Sequence, residues 1–236
     1  LDQAARGGIR ALLVASPANP TGSVLSVDEL AQLHGACRER GAALIADEIY
    51  QGLTYDAADH TAVALGDEGV YVVNSFSKYF GMTGWRVGWV IAPRAAAPAL
   101  ERLAQNLFIA APTLSQHAAR AALAAATAPL LEGRRAVLEQ RRDVLWAGLR
   151  ALGFGVAAPP RGAFYIYARL PEGLHLDASD LASRLLEEHG VAVTPGIDFG
   201  LVDAERHLRF AFTRPIEEIE MALERLSACP QLVGGC

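Results

Sequence analysis

The chain has 236 residues, which is enough to bury a full hydrophobic core in one large or two modest domains. Its formal net charge of −5 argues against nucleic acid as a main partner, although a net value leaves room for a local basic patch. Because no apolar run approaches membrane-spanning length and no signal peptide is evident, we expect a cytoplasmic protein without a membrane partner.

The start of the chain predicts a strand, a helix and a second strand. Residues 9–15 form an apolar run suited to a buried strand, and a loop rich in turn residues follows. Ser26 and Glu29 make a possible capping box for a helix that we expect to end near residue 41. Residues 42–46 are the next buried strand. A strand–helix–strand order is the unit of a parallel sheet.

The chain's three cysteines predict neither a metal site nor a disulfide framework. Cys37, Cys229 and Cys236 have no metal-ligand spacing, and their number is odd. Cys37 falls within the first predicted helix, where we expect it to be a packing residue.

Polar side chains follow each predicted strand of this first region. Asn19 lies in a turn-rich loop after the first strand, Asp47 closes the second, and Lys78 follows a segment that contains the β-branched residues Val70, Val72 and Val73. In open parallel sheets, ligands bind at the carboxyl ends of the strands. We therefore expect these side chains to converge on one edge of the sheet.

Residues 75–88, which read SFSKYFGMTGWRVG, predict a strand, a loop that carries Lys78, and another strand. Burial lowers the pKa of a lysine and makes its amine the nucleophile that Schiff-base chemistry needs. The hydroxyl of Ser75 and the guanidinium of Arg86 are suited to hold a phosphate. The stretch suggests a lysine for pyridoxal phosphate (PLP). The alternative is a solvent-exposed loop lysine, with Arg86 capping the end of an element.

Asp47 and Tyr50 belong to the sequence DEIY, which carries a second part of this chemistry. An aspartate that closes a buried apolar strand is costly unless it pairs with a cation, and a protonated pyridine nitrogen is such a cation. Tyr50 is suited to donate a hydrogen bond to the phenolate oxygen of the ring. The alternative is that Asp47 caps a following helix and Tyr50 is a half-buried aromatic residue.

The whole stretch 75–88 resembles the PLP-attachment signature of class I and II aminotransferases. The order of NPTG, DEIY and SFSK, followed by a later arginine, is also similar to that family, which has fold type I and belongs to the aspartate aminotransferase superfamily of amino acid metabolism. The resemblance implies that Lys78 forms the Schiff base and shuttles a proton. It also implies that Asp47 pairs with the pyridine nitrogen and that Tyr50 and Asn19 bond to the phenolate oxygen. The phosphate would be bound by Ser75, Ser77 and Arg86.

Arg209 lies in an alternating segment, residues 207–212, that is typical of a half-buried strand. The family places there the arginine that binds the substrate α-carboxylate, and Asn19 also lies on the substrate side by the same resemblance. A guanidinium matches a carboxylate bidentately. The alternative is an ordinary arginine on a strand face.

The rest of the chain predicts helices followed by a small mixed region. Helices are expected at 100–109, 114–126, 129–152, 178–189 and 215–226, and short strands at 154–156, 164–168, 191–193 and 208–212. We interpret residues 1–128 as a partial PLP-binding large domain, 129–152 as a linking helix, and 153–236 as a small α+β carboxyl-terminal domain. The predicted fold class is α/β, with a three-layer large domain around a mostly parallel sheet.

The resemblance begins in the middle of the family's pattern. Nothing in the chain matches the amino-terminal part, which in the family supplies a glycine-rich phosphate cradle, an aromatic residue stacked on the ring and several strands. We therefore expect this chain alone to be incomplete as an enzyme, to bind little PLP, and to expose an apolar face of its sheet.

The resemblance implies transamination between an amino acid and a 2-oxo acid, by a homodimer. Two alternatives stay open. The same residues would serve a PLP-dependent carbon–sulfur lyase, because the cofactor carries the chemistry. They would also suit a transcriptional regulator whose aminotransferase-like domain senses PLP.

Overall fold

The computed structural model describes residues 8–66 and 68–233. These residues form two compact units. The first extends to Ala18 and from Ser23 to Arg135, and the second combines Asn19–Gly22 with the chain from Ala136 onward. Cys236, one of the three cysteines considered above, lies outside the described residues.

Within the described residues, the first unit contains one sheet of four strands in the order β1-β2-β3-β4. The first three strands are parallel, and β4 runs antiparallel to β3. This confirms the predicted α/β class and the mostly parallel sheet. The strands are β1 (Ala11–Ala15), β2 (Ala43–Asp47), β3 (Val70–Ser75) and β4 (Gly88–Ile91).

The first helix, α1 (Val27–Glu39), begins with the predicted capping box. The Ser26 hydroxyl accepts the amide of Glu29, and the Glu29 carboxylate accepts the amide of Ser26 at 2.8 Å. Cys37 of this helix is fully buried, as expected of a packing residue, and burial raises the pKa of its thiol. Other elements are α2 (Ala97–Leu107), α3 (Thr113–Ala122), α4 (Ala128–Ala151) and 3-10 turns at Ala62–Leu65, Thr83–Trp85, Arg94–Ala96 and Ala125–Thr127.

The two faces of the four-stranded sheet differ in burial. One face carries Leu44 and Val72, which are buried in the cores that pack against α1 and the Ala62–Leu65 turn. On the other face Leu13 is 65% exposed, Val73 44% and Val90 49%. Because side chains alternate along a strand, these residues form one apolar surface, which agrees with the exposed sheet face predicted from the sequence.

The second unit is a small α+β arrangement. Its described strands pair in the antiparallel order β5-β7-β6. Its elements are β5 (Tyr165–Arg169), α5 (Ala178–His189), β6 (Thr194–Pro195), β7 (His207–Ala211), α6 (Ile216–Ser227), α7 (Pro230–Val233) and 3-10 turns at Gly196–Asp198 and Ala204–Arg206. None of the helices within the described residues is both long enough and apolar enough to cross a membrane.

Two predicted strands of this unit are wrong. Residues 154–156 make only an isolated bridge between Gly155 and Arg169, while the Phe154 ring packs edge-on against Phe210, with ring centroids 5.4 Å apart. Residues 191–193 precede β6, which begins at Thr194. The amide of Val191 instead donates to the Leu185 carbonyl and satisfies an acceptor at the end of α5.

Candidate functional site

The loop that carries Lys78 leaves and re-enters the sheet at adjacent points. Ser75 of β3 lies opposite Gly88 of β4, and the amide of Phe76 donates to the Val87 carbonyl at 3.1 Å. A Cβ atom on Gly88 would lie 2.6 Å from the Asn74 carbonyl oxygen. The close approach of the two strands therefore requires a glycine at this position.

The hydroxyl groups at the base of this loop lie side by side. Ser75 Oγ is 2.9 Å from Ser77 Oγ and accepts the amide of Ser77 at 3.1 Å. Farther along, the Thr83 hydroxyl donates to the Ser77 carbonyl at 2.7 Å, and an N–H of Arg86 donates to the Thr83 carbonyl at 2.9 Å. Arg86 has a left-handed backbone, with φ 50°, and an exposed guanidinium. The base of the loop thus combines two hydroxyls with a cation that is free to donate further bonds.

The structure brings Lys78 and Tyr50 together. Lys78 is half-buried, and its Nζ lies 5.7 Å from the centroid of the Tyr50 ring, which is 5% exposed. Tyr50 belongs to the segment after β2, and Lys78 to the segment after β3, so the parallel strands deliver both residues to one edge of the sheet. The fold therefore places the Lys78 amine next to the Tyr50 phenol ring at this edge of the sheet.

Asp47 ends β2 at the same edge, in register with Val73 of β3. Its Oδ1 accepts the amide of Ile49 at 3.1 Å, and the chain continues as a turn, so the interpretation of Asp47 as the cap of a following helix is wrong. Asp47 is half-buried. Asp47, Tyr50 and Lys78 therefore all lie at or just after strand ends at this edge of the sheet.

Glu48, which sequence reasoning missed, is the buried acid of this edge. It is 3% exposed, and its Oε1 accepts the amide of Ala62 at 2.7 Å. Burial raises the pKa of its carboxyl group. Glu48 fixes the backbone that follows Asp47 to the Ala62–Leu65 turn.

Arg209 lies at the centre of the sheet in the second unit. One terminal nitrogen donates to Asn19 Oδ1 at 2.9 Å, and the other donates to the Thr194 hydroxyl at 3.1 Å. Its guanidinium carbon lies 4.1 Å from the centroid of the Tyr165 ring and 4.7 Å from that of Phe199. Its Nε is buried without a hydrogen-bond partner among the described residues. Two aromatic rings thus lie within cation–π distance of the guanidinium, which keeps one donor unused among the described residues.

A family model described as aminotransferase class I and II matches residues 1–226 of the chain. The chain is 40% identical over 221 residues to a valine–pyruvate aminotransferase of Mycobacterium tuberculosis, covering 93% of this chain and 57% of that protein. It is 32% identical over 234 residues to an aspartate aminotransferase of Geobacillus stearothermophilus, covering 96% of this chain and 58% of that protein.

Among solved structures, the chain is similar to an aromatic aminotransferase of Pyrococcus horikoshii, with a TM-score of 0.89 and 32% identity. That match covers 96% of this chain and 61% of the solved chain. The chain therefore spans less than two thirds of the length of these relatives.

We predict that Gly88→Ala destabilises the protein by about 1–3 kcal/mol, because the added Cβ forces β3 and β4 apart. Gly84→Ala is the matched control, since a Cβ atom there meets nothing within 4 Å. Chemical unfolding of the full-length protein measures both free energies. Equal unfolding free energies for the two variants would show that the close approach of β3 and β4 does not require a glycine at position 88.

Proposed function

Because this chain belongs to the class I and II aminotransferase family, we propose that it carries the lysine-bearing part of an enzyme that moves an amino group between an amino acid and a 2-oxo acid. The family predicted from the motifs is confirmed, and its cofactor is PLP. The observation that carries the proposal is the Lys78 amine beside the Tyr50 ring, at the sheet edge where Asp47 also ends its strand.

The donor set at this edge fits PLP. An amine suits the aldehyde, a carboxylate suits the pyridinium N–H, and paired hydroxyls with a guanidinium suit the phosphate. We assign these roles to Lys78 and Asp47 and, for the phosphate, to Ser75, Ser77 and Arg86. The adjacent hydroxyls at the base of the loop support the phosphate assignment. Tyr50, with Asn19, is assigned to the phenolate oxygen.

When bound, the cofactor supplies an electron sink that stabilises negative charge at the substrate α-carbon. Lys78 would hold the cofactor covalently through its Nζ and, once the substrate amine has displaced it, would accept the proton that leaves the α-carbon at the same atom. The Tyr50 ring lies next to this amine, with its centroid 5.7 Å from Nζ. Asp47 holds a proton on the ring nitrogen by its negative charge.

Arg209 is the proposed binding group for the substrate α-carboxylate, together with Asn19. The Tyr165 and Phe199 rings lie within cation–π distance of the guanidinium, and Asn19 and Thr194 accept hydrogen bonds from its terminal nitrogens. The unpartnered Nε supports this role, because a buried donor without an acceptor is costly unless a ligand supplies one. Both the amino acid and the 2-oxo acid carry the group that Arg209 recognises.

We also propose a homodimer located in the cytoplasm. The end of α2 and the residues that follow it expose large apolar side chains: Leu107 is 75% exposed, Phe108 63% and Ile109 83%. Contiguous exposed apolar surface of this kind supports self-association.

Cys37 and Cys229 are buried free thiols, which fits the reducing compartment of the cytoplasm. The domain division at residues 128 and 152 stays a prediction.

The central test of the proposed function uses Lys78, the only lysine in the sequence. We expect Lys78→Ala to abolish both the visible absorption of the bound cofactor and its borohydride-reducible link to the full-length protein. Peptide mapping of the reduced wild-type protein should locate the link at Lys78. Lys78→Arg is the matched control, which keeps the charge but cannot form the link. A reducible link that survives in Lys78→Ala would disprove the assignment.

Product analysis of the same wild-type protein separates the alternatives. A new amino acid from a 2-oxo acid supports transamination, whereas pyruvate with ammonia indicates a carbon–sulfur lyase. Cofactor binding without turnover of any amino acid would favour the PLP-sensing regulator.

We predict that Asp47→Asn lowers turnover on the order of a hundredfold while the fold is retained, because an amide cannot keep the ring nitrogen protonated. The asparagine carbonyl can still accept the Ile49 amide, so the turn should persist. Steady-state kinetics and circular dichroism measure the two effects. Asp28→Asn, in the first turn of α1, is the matched control. Wild-type turnover in Asp47→Asn would limit Asp47 to a structural role.

We predict that Arg209→Ala raises KM for the amino acid and for the 2-oxo acid together, at a cost of about 2–5 kcal/mol of binding free energy, with a smaller effect on PLP affinity. Arg169→Ala is the control, since Arg169 lies on β5 and pairs with Asp203 at the surface. Substrate kinetics and cofactor titration measure the three constants. If PLP affinity fell while both KM values stayed unchanged, Arg209 would belong to the cofactor site.

A further inference from the structure

Tyr79, the residue after Lys78, is held at both ends of its side chain by groups outside its own loop. Its ring lies on Gly52, since a Cβ atom there would come within 2.7 Å of a ring carbon. Its hydroxyl donates a hydrogen bond of 2.6 Å to Glu132 Oε1 of α4. A carboxylate acceptor makes this a strong, charge-assisted bond. The residue beside the lysine is therefore fixed by packing and by charge.

The contact continues from Glu132 to the segment after Tyr50. The second carboxylate oxygen of Glu132 pairs with Arg135 Nε at 2.9 Å, and Arg135 donates to the carbonyl of Thr54 at 3.2 Å. Thr54, like Gly52, lies a few residues after Tyr50 in the chain. The network thus begins next to Lys78 and ends next to Tyr50.

Gly52 is the constrained end of this network. Its φ is +85°, a backbone region that favours glycine, and its amide donates to Asp59 Oδ2 at 3.1 Å. Any side chain at this position would displace the Tyr79 ring. The backbone after Tyr50 is therefore shaped to receive Tyr79.

The protonation states keep the hydrogen bond in place. Burial and the contact with Glu132 raise the pKa of Tyr79 to about 12, so the phenol keeps its proton near neutral pH. The hydrogen bonds from Tyr79 and Arg135 lower the pKa of Glu132, which stays a carboxylate. Tyr79 therefore remains the donor and Glu132 the acceptor of this hydrogen bond near neutral pH.

We propose that Tyr79 is a positioning residue for Lys78: it ties the lysine loop to the segment after Tyr50 and so sets the amine beside the Tyr50 ring. This rests on the proposed function, in which Lys78 carries the cofactor. A rotation of the Lys78 backbone would have to break the Tyr79–Glu132 bond or lift the ring from Gly52. A small displacement of a reacting group is enough to slow a reaction strongly.

The test uses Tyr79→Phe, Glu132→Ala and the double variant of the full-length protein loaded with PLP. Tyr79→Phe removes the hydroxyl but keeps the ring on Gly52. We expect it to retain cofactor and the substrate KM, to lose about tenfold in kcat, and to show weaker visible circular dichroism of the bound cofactor. Tyr71→Phe on β3 is the matched control and should behave as wild type.

Glu132→Ala removes the same hydrogen bond and also the ion pair with Arg135, so it should lose at least as much as Tyr79→Phe while Tyr79 is intact, and the double variant should lose nothing more than Glu132→Ala. Unchanged kcat and circular dichroism in Tyr79→Phe would overturn the proposal, and so would additive losses in the double variant. If Tyr79→Phe fails to fold, Glu132→Ala decides by the same two readouts. Failure of the proposed function is distinct: wild type itself would then show no reducible link at Lys78, and both proposals would fall.

Discussion

The pairing of β3 with β4 is the constraint on which the candidate site depends. Ser75 and Gly88 lie opposite one another, so the loop that carries Lys78 starts and ends at one backbone position of the sheet. Inside the loop, the amide of Met82 donates to the Phe76 carbonyl at 3.0 Å, and both side chains are buried against α3. A flexible lysine side chain is thereby carried by a backbone with little freedom of its own.

A lysine at position 78 suits the proposed chemistry because an arginine guanidinium cannot lose its proton to become a nucleophile. Lysine and arginine together number 21 in the sequence, and Lys78 is the only lysine among them. Arginine stays charged and presents a planar fork that suits anions, whereas an ammonium group can lose its proton and become a nucleophile. In the proposed function, Arg86 and Arg209 bind anionic groups, and Lys78 alone handles covalent bonds and protons. The composition therefore agrees with the division of roles.

The sequence predicted the elements whose signals are local. The Ser26 capping box, the bounds of α5 and the strand–loop–strand around Lys78 depend on neighbours within a few residues, and the structure confirms them. The strand predicted at residues 191–193 was wrong because the amide of Val191 is used by the end of α5, which no apolar pattern reveals.

The same distinction applies to the candidate site. Asp47 and Lys78 were visible because each is a charged residue next to an apolar run. Glu48 and Tyr79 were missed because their partners, Ala62 and Glu132, lie far away in the chain. Sequence patterns identify groups that react or bind, whereas the residues that orient those groups depend on tertiary contacts.

Arg209 illustrates how far a single geometry can support a functional role. A structural arginine is expected to use its donors on protein acceptors, because an unsatisfied buried N–H is costly. The terminal nitrogens of Arg209 donate to Asn19 and Thr194, its guanidinium lies near two aromatic rings, and its Nε has no partner among the described residues. The rings and the two acceptors restrict its rotamers before any ligand arrives, which reduces the entropic cost of binding. In the proposed function, a bound carboxylate would supply the acceptor that Nε lacks among the described residues.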